Sequence, residues 1–323
     1  MKNVDINKMN IVELSANEYK CLLTTNNVPC FYECDFLELN AKKVDKIHYL
    51  LGRDSKDRIL FAIGEKDREW KAPFSAPFSN LVLLKDDVSV AQIWEFVIEL
   101  IKFAESKAAK KIEIYPPSEI YESHITARFI NALLGNGFRL LHEDINYYFD
   151  LSLLDIDTYG QKLCRMGRKN LKIALRSNLS FMLCHTSEEK EAAYDVIHAN
   201  RTFRGFPLRM SKDQVLSTLE LVKHDCFLVF HSNTIIASAI VYRVTDEIAQ
   251  VVYWGNIPGI EEYKPINYLA YQLIQYYKKL EFRILDIGIS TEEGIPNFGL
   301  CTFKESIGCT ASSKPKFLKE FVY

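Results

Sequence analysis

Residues 88–104 place apolar side chains at Ile93, Trp94, Val97, Leu100, Ile101 and Ala104, while Glu95, Glu99 and Lys102 take positions between them. That spacing predicts an amphipathic helix. It returns at 125–134, closed by Gly135-Asn136-Gly137, and after Pro265, where Ile266, Leu269, Ala270, Leu273, Ile274 and Tyr277 make the buried stripe. Helices are also predicted at 188–200, at 210–222 with Ser211 as cap, and from the capping box Ser15-Ala16-Asn17-Glu18 to about residue 25. Apolar, β-branched runs predict strands at 58–64, 81–84, 111–115, 138–151, 179–184, 226–231, 235–244 and 248–254. Strands alternating with helices indicate an α/β (α+β) architecture.

Two segments interrupt this pattern. In 70–80 the triplet Pro73-Phe74-Ser75 is echoed by Pro77-Phe78-Ser79, and two prolines so close predict a rigid loop, with Ser75 as a candidate substrate contact. Residues 161–176 carry six Lys or Arg and no acid. On a helix, Arg165, Arg168, Lys169, Lys172 and Arg176 share one face, opposite Leu163, Leu171, Ala174 and Leu175. That face suits phosphates, or is a solvated connector whose Gly167 marks close packing. The expected organisation is a domain over 1–156, a basic linker helix over 157–177 and a second domain over 178–323.

Residues 283–308 concentrate the candidate chemistry. A strand through Leu285, Asp286, Ile287, Gly288 and Ile289 runs into a polar loop, then into a short helix with Leu300, Phe303 and Ile307 on its apolar face and Gly308 as its stop. Lys304 lies beside that face, so its stem starts in apolar surroundings while its ammonium seeks the loop. Ser290, Thr291, Glu292 and Asn297 gather at the carboxyl end of the strand, where open α/β sheets hold ligands. The connection before Pro265 adds Asn256, Tyr263, Lys264 and Asn267 as further candidate contacts, at a helix N-terminus suited to an anionic group.

At 323 residues two domains are the default. Hydrophobic residues at 48% and charged ones at 25% exclude a disordered chain, and a net charge of −2 leaves any polyanion contact to a local patch. Eight scattered cysteines without a Cys-x-x-Cys pair predict reduced, mostly buried thiols and no metal site. No apolar leader or spanning segment is visible, so a cytoplasmic protein is expected. No Walker loop, dinucleotide fingerprint, metalloprotease motif or nucleophile elbow occurs. His185 and His198 read as packed core residues, and Cys301 lacks an evident histidine partner.

The run Leu285-Asp286-Ile287-Gly288, the loop, Asn297-Phe298-Gly299-Leu300, Phe303-Lys304 and Gly308 resemble the C-terminal signature of Fem-type transferases of the GNAT acyltransferase superfamily. The resemblance implies two tandem GNAT-like domains, each a mixed β-sheet flanked by helices. It implies transfer of an acyl or aminoacyl group, from acyl-CoA or aminoacyl-tRNA, to an amine of a small-molecule or cell-envelope precursor, with no role for DNA. In that family the lysine matching Lys304 is associated with transition-state stabilisation. Asp286 or Glu292 then serves as base, or the substrate assists its own proton transfer. Only Gly255 and Gly259 stand where CoA-dependent members carry a glycine-rich phosphate loop, and no heptad arm is present. A non-catalytic module that keeps the fold and binds a ligand is the alternative.

Overall fold

A computed structural model describes residues 9–23, 28–206 and 208–322. In chain order its first elements are β1 (Asn10–Leu14), α1 (Ala16–Leu23), α2 (Cys34–Leu39), β2 (Lys46–Arg53), β3 (Asp57–Lys66), β4 (Glu69–Ala72), β5 (Val82–Leu83), α3 (Val90–Ser106), β6 (Lys111–Ile114), α4 (Ser123–Gly135) and β7 (Arg139–Asp150). There follow α5 (Ile156–Lys162), α6 (Arg165–Arg176), β8 (Leu179–Leu183), α7 (Ser187–Phe203), α8 (Lys212–Leu221), β9 (His224–His231), β10 (Thr234–Arg243) and β11 (Ile248–Asn256). The chain closes with α9 (Pro265–Lys279), β12 (Ile284–Ile289), β13 (Thr291–Glu292), β14 (Ile295–Pro296), α10 (Phe298–Ser306) and β15 (Thr310–Glu320). Residues 24–25, assigned above to the first helix, lie outside the described residues.

Two compact units emerge: one takes in the described residues up to Asp144 and from Ser313 on, the other Ile145–Ser312. The division differs from the sequence expectation at both ends. Residues 313–322 belong with the first unit, because β15 pairs antiparallel with β6, Phe317 opposite Ile114. In the first unit β1, β2, β3 and β4 are antiparallel neighbours and β4 lies parallel to β6. Leu50, Phe61, Trp70, Phe96, Leu100 and Phe129 share its core. His48, buried on β2, holds both neighbouring strands through Glu13 at 2.7 Å and Glu65 at 2.8 Å.

In the second unit the order is β7, β12, β11, β10, β9, β8, with β11 and β12 parallel and the other pairs antiparallel. Both faces are covered, which is why β9 to β11 read as nearly continuous apolar runs. On one side α9 buries Leu269, Ala270, Leu273, Ile274 and Tyr277. Its N-cap, Lys264, has φ 53° and makes no side-chain cap bond. A cap is worth ~1 kcal/mol, whereas each buried aliphatic side chain contributes about 1.5–3 kcal/mol, so packing rather than capping sets this helix. On the other side α7, begun by a capping box of Thr186 and Glu189, packs so that Ser238 Oγ donates to the Ala193 carbonyl at 2.7 Å.

The basic segment is not a free linker. It breaks at Leu163 and Cys164 into α5 and α6, and α6 buries Gly167, Leu171 and Ala174 within the second unit. Gly167 meets the end of α10: a Cβ there would lie 1.8 Å from the Ser306 carbonyl oxygen. Tyr159 of α5 donates to the next carbonyl, Ile307, at 2.6 Å. Gly167→Ala is therefore expected to destabilise the chain by about 1–3 kcal/mol through overpacking. An unchanged urea midpoint would disprove that contact.

Candidate active site

β11 and β12 pair over only three residues, Ile248, Ala249 and Gln250 against Ile284, Leu285 and Asp286. Past that point β11 continues to Asn256 and β12 to Ile289 without pairing to each other. Each carries a bulge where they part: Val252 is the extra residue of β11 against β10, and Ile287 that of β12 against β7. Bulges raise local twist and bend a strand, which drives the two apart. Gly288, at φ 75°, completes the bend in a conformation that disfavours any side chain.

Asp286 stabilises this bend. Its residue is 1% exposed, and Oδ1 accepts from Asn146 Nδ2 and the Gly288 N–H, both at 2.9 Å. Oδ2 accepts from Gln250 Nε2 at 2.6 Å. Both oxygens are thus occupied by donors from β7, β11 and β12, and the carboxylate ties three strands at their divergence.

The bend turns three successive carbonyls to one point, and Lys304 fills it. Its Nζ donates to the oxygens of Ile287, Gly288 and Ile289 at 3.0, 2.8 and 2.9 Å. An ammonium has three N–H donors, so all are used. The ring of Tyr147 lies 5.5 Å from Nζ, and Tyr147 in turn donates to Glu305 at 2.9 Å. Burial lowers the Lys304 pKa to about 8, against the opposing influence of neighbouring thiols and Asp286. The buried face of α10 is Cys301, Lys304 and Ser306, whereas Leu300 and Phe303, expected there, are only partly covered. A lysine with a fixed backbone cradle displaced the purely apolar pattern.

The loop between β12 and α10 is equally structural. Asn297 caps α10, accepting from Leu300 N at 3.0 Å, and Thr291 Oγ1 accepts from Ile145 N at 3.2 Å. Glu292 stands on the β13–β14 hairpin, its side chain 80% exposed and 4.0 Å from Arg209. Ser290 Oγ and Gln250 Oε1 are buried without a partner among the described residues.

The remaining candidates sit elsewhere. Asn256 accepts from Asn200 Nδ2 through its carbonyl at 2.6 Å and donates to Ile257 O at 2.8 Å. Tyr263 stacks on His231 with ring centroids 4.3 Å apart. Lys264 and buried Asn267 open α9, where exposed Glu261 and Glu262 precede the helix and oppose an anion. Ser75 belongs to the first unit, donating to Asn40 and accepting from Lys43. Arg165, Arg168, Lys169 and Lys172 are exposed on α6 and form no ion pair among the described residues. His185 and His198 are both exposed, contrary to expectation, His198 lying against Tyr194. The sequence reading missed Asn146, Gln250 and Tyr147. A polar residue in the middle of an apolar strand, as in Ile248-Ala249-Gln250-Val251, was the available signal for the first two.

No family model and no curated protein match this sequence. Solved structures do match. FemX superposes with a TM-score of 0.68 at 12% identity, covering 97% of this chain and 97% of that one. L-PGS from Bacillus licheniformis gives 0.60 at 12% identity over 96% and 94% of the two chains. A tandem GNAT protein from the clavulanic acid biosynthesis pathway gives 0.52 at 9% identity over 97% and 98%. The fold is accordingly Fem-like and of the tandem GNAT type. Among the described residues no helix is long and apolar enough to cross a membrane.

Proposed function

We propose that the protein is an acyltransferase that moves an acyl or aminoacyl group from an activated donor to an amine of a small-molecule or cell-envelope precursor. The observation that carries this reading is the buried ammonium of Lys304, held by three carbonyls where β11 and β12 part. Exchange of one carbonyl for the oxygen of a tetrahedral intermediate gives that oxyanion a charge-assisted donor in a dry setting. The amine nitrogen bonds to the acyl carbon, the bond from that carbon to the donor's sulfur or oxygen breaks, and the amine proton passes to the leaving group. Asp286, with both oxygens occupied, acts here as a positioning residue, and exposed Glu292 is left outside the chemistry, so substrate-assisted proton transfer is the reading we adopt.

Aminoacyl-tRNA is our preferred donor. Gly255 is taken up by packing, since a Cβ would meet Asn200 at 3.0 Å, and Gly259 serves a turn at φ 84°, leaving no glycine of this connection for a CoA diphosphate. The exposed cations of α6 suit a polyanion, and the likeness to FemX and L-PGS supports the same class. The test is single-turnover transfer from a panel of charged tRNAs and acyl-CoAs to amine acceptors, read by mass spectrometry. A protein that binds a donor yet transfers from none favours the binding-module alternative. Arg168→Glu with Lys172→Glu is expected to weaken all charged tRNAs alike and to shrink the salt slope by about one per lost phosphate contact. Unchanged tRNA binding in that variant would sink the tRNA reading and return acyl-CoA to the front.

A further inference from the structure

Asn200 seats the end of α7 on the end of β11. Its Nδ2 donates to the Asn256 carbonyl at 2.6 Å, and a Cβ on Gly255 would lie 3.0 Å from its side chain. The next residue, Arg201, is thereby held beside the part of β11 that has separated from β12. Successive residues of a strand face opposite sides of the sheet. Trp254 meets Phe303 of α10, with ring centroids 6.0 Å apart, and Tyr253 turns to the α7 side, where Arg201 is its principal charged neighbour. Arg201 also lies within electrostatic range of Lys304, so α7 and α10 bring two cations to one break in the sheet.

Arg201 has no answering charge. Its side chain is half-buried and makes no hydrogen bond or ion pair among the described residues. The groups that act on it are Tyr253, kept neutral by burial, and like-charged Arg204. The Tyr253 hydroxyl also has no partner among the described residues. The carboxylates of this region are engaged elsewhere: Asp286 holds Asn146, Gln250 and the Gly288 N–H, Glu305 accepts from Tyr147, and Glu292 stands by Arg209. A guanidinium withdrawn from water without acceptors is costly, and an oxyanion set between it and the phenol removes that cost through charge-assisted hydrogen bonds. An acceptor amine arrives largely as an ammonium, which Lys304 and Arg201 both repel. An anion on the same molecule supplies the missing countercharge. We infer that Arg201 and Tyr253 form a subsite for an oxyanionic group, carboxylate or phosphate, carried by the acceptor close to its reactive amine. That the bound molecule is the acceptor rests on the acyl-transfer reading; the subsite itself does not.

Two matched pairs of amines test it on the full chain: β-alanine against β-alaninamide for a carboxylate, and phosphoethanolamine against ethanolamine for a phosphate. Binding is read without transfer, from the NMR signals of the Arg201 Nε–H and the Tyr253 ring, assigned with Arg201→Gln and Tyr253→Phe. The anionic member of at least one pair should shift both signals saturably while its uncharged partner leaves them in place, and the pair that responds tells carboxylate from phosphate. Arg201→Gln should weaken that binding by about tenfold to a hundredfold, with partial recovery in Arg201→Lys. Where the same amines serve as acceptors, kcat/KM for the anionic member should fall by a similar factor in Arg201→Gln, whereas a merely structural role would lower both members of a pair alike. No shift with either anion, or an equal response to charged and uncharged members, would overturn the inference. Binding at Arg201 without transfer from any donor would overturn the acyl-transfer reading and leave the subsite standing. Transfer with no preference for the anionic members would overturn the subsite alone.

Discussion

Lys304→Met is expected to lower acyl transfer by about a hundredfold to a thousandfold while the chain remains folded. Two opposing terms keep the fold. Three carbonyls lose their donor, at about 1 kcal/mol or more each, but the variant also escapes the cost of burying an ammonium. A pKa lowered from 10.5 to about 8 corresponds to ~3 kcal/mol, so the two are of similar size and the melting temperature should move little. Transfer by the native protein should decline as pH rises through about 8, because an oxyanion needs the charged form. The stability limb runs the other way. The unfolded lysine holds its proton up to about 10.5 and the folded one only to about 8, so the unfolded state binds more protons between them and this group favours folding progressively as pH rises across that window. Transfer that increases through pH 8, or survives in Lys304→Met at the native rate, would remove Lys304 from the chemistry.

Asp286→Ala should cost about 3–5 kcal/mol, because Asn146, Gln250 and the Gly288 N–H all lose their acceptor in a buried setting where Lys304 also loses a carboxylate that favours its charged form. Asp286→Asn separates structure from charge. The Gln250 amide can rotate so that its unpartnered Oε1 accepts from the new carboxamide, which preserves the knot between β11 and β12. What is lost is a negative charge that favours the Lys304 ammonium, so the alkaline limb of the rate profile should move to lower pH. A positioning role predicts a folded variant with that displaced limb. Activity abolished at every pH, with melting unchanged, would instead make Asp286 the base.

Much of the site was legible because its signals are local. A lone lysine on an apolar helical face, an aspartate inside a β-branched strand and a glycine two residues on each break a period, and each break proved to be a structural device at the end of β12. The cradle itself was not legible. It depends on a bulge at Ile287, and a bulge is set by register against β7, more than a hundred residues earlier in the chain. Asn146 and Gln250 matter for the same reason: they become partners of Asp286 only when three strands are laid side by side.

The sequence alone determined the alternation of strands and helices, the capping boxes, the stripe of α9 and the presence of a basic helix that carries Gly167, since each follows from neighbours a few residues apart. Tertiary structure decided that α6 is built into the second unit against Ser306, that β15 joins the first unit through β6, and that Lys304 spends its protons on backbone carbonyls. Those are long-range pairings in which the rewarding contact comes from residues remote in the chain, and no local period records them.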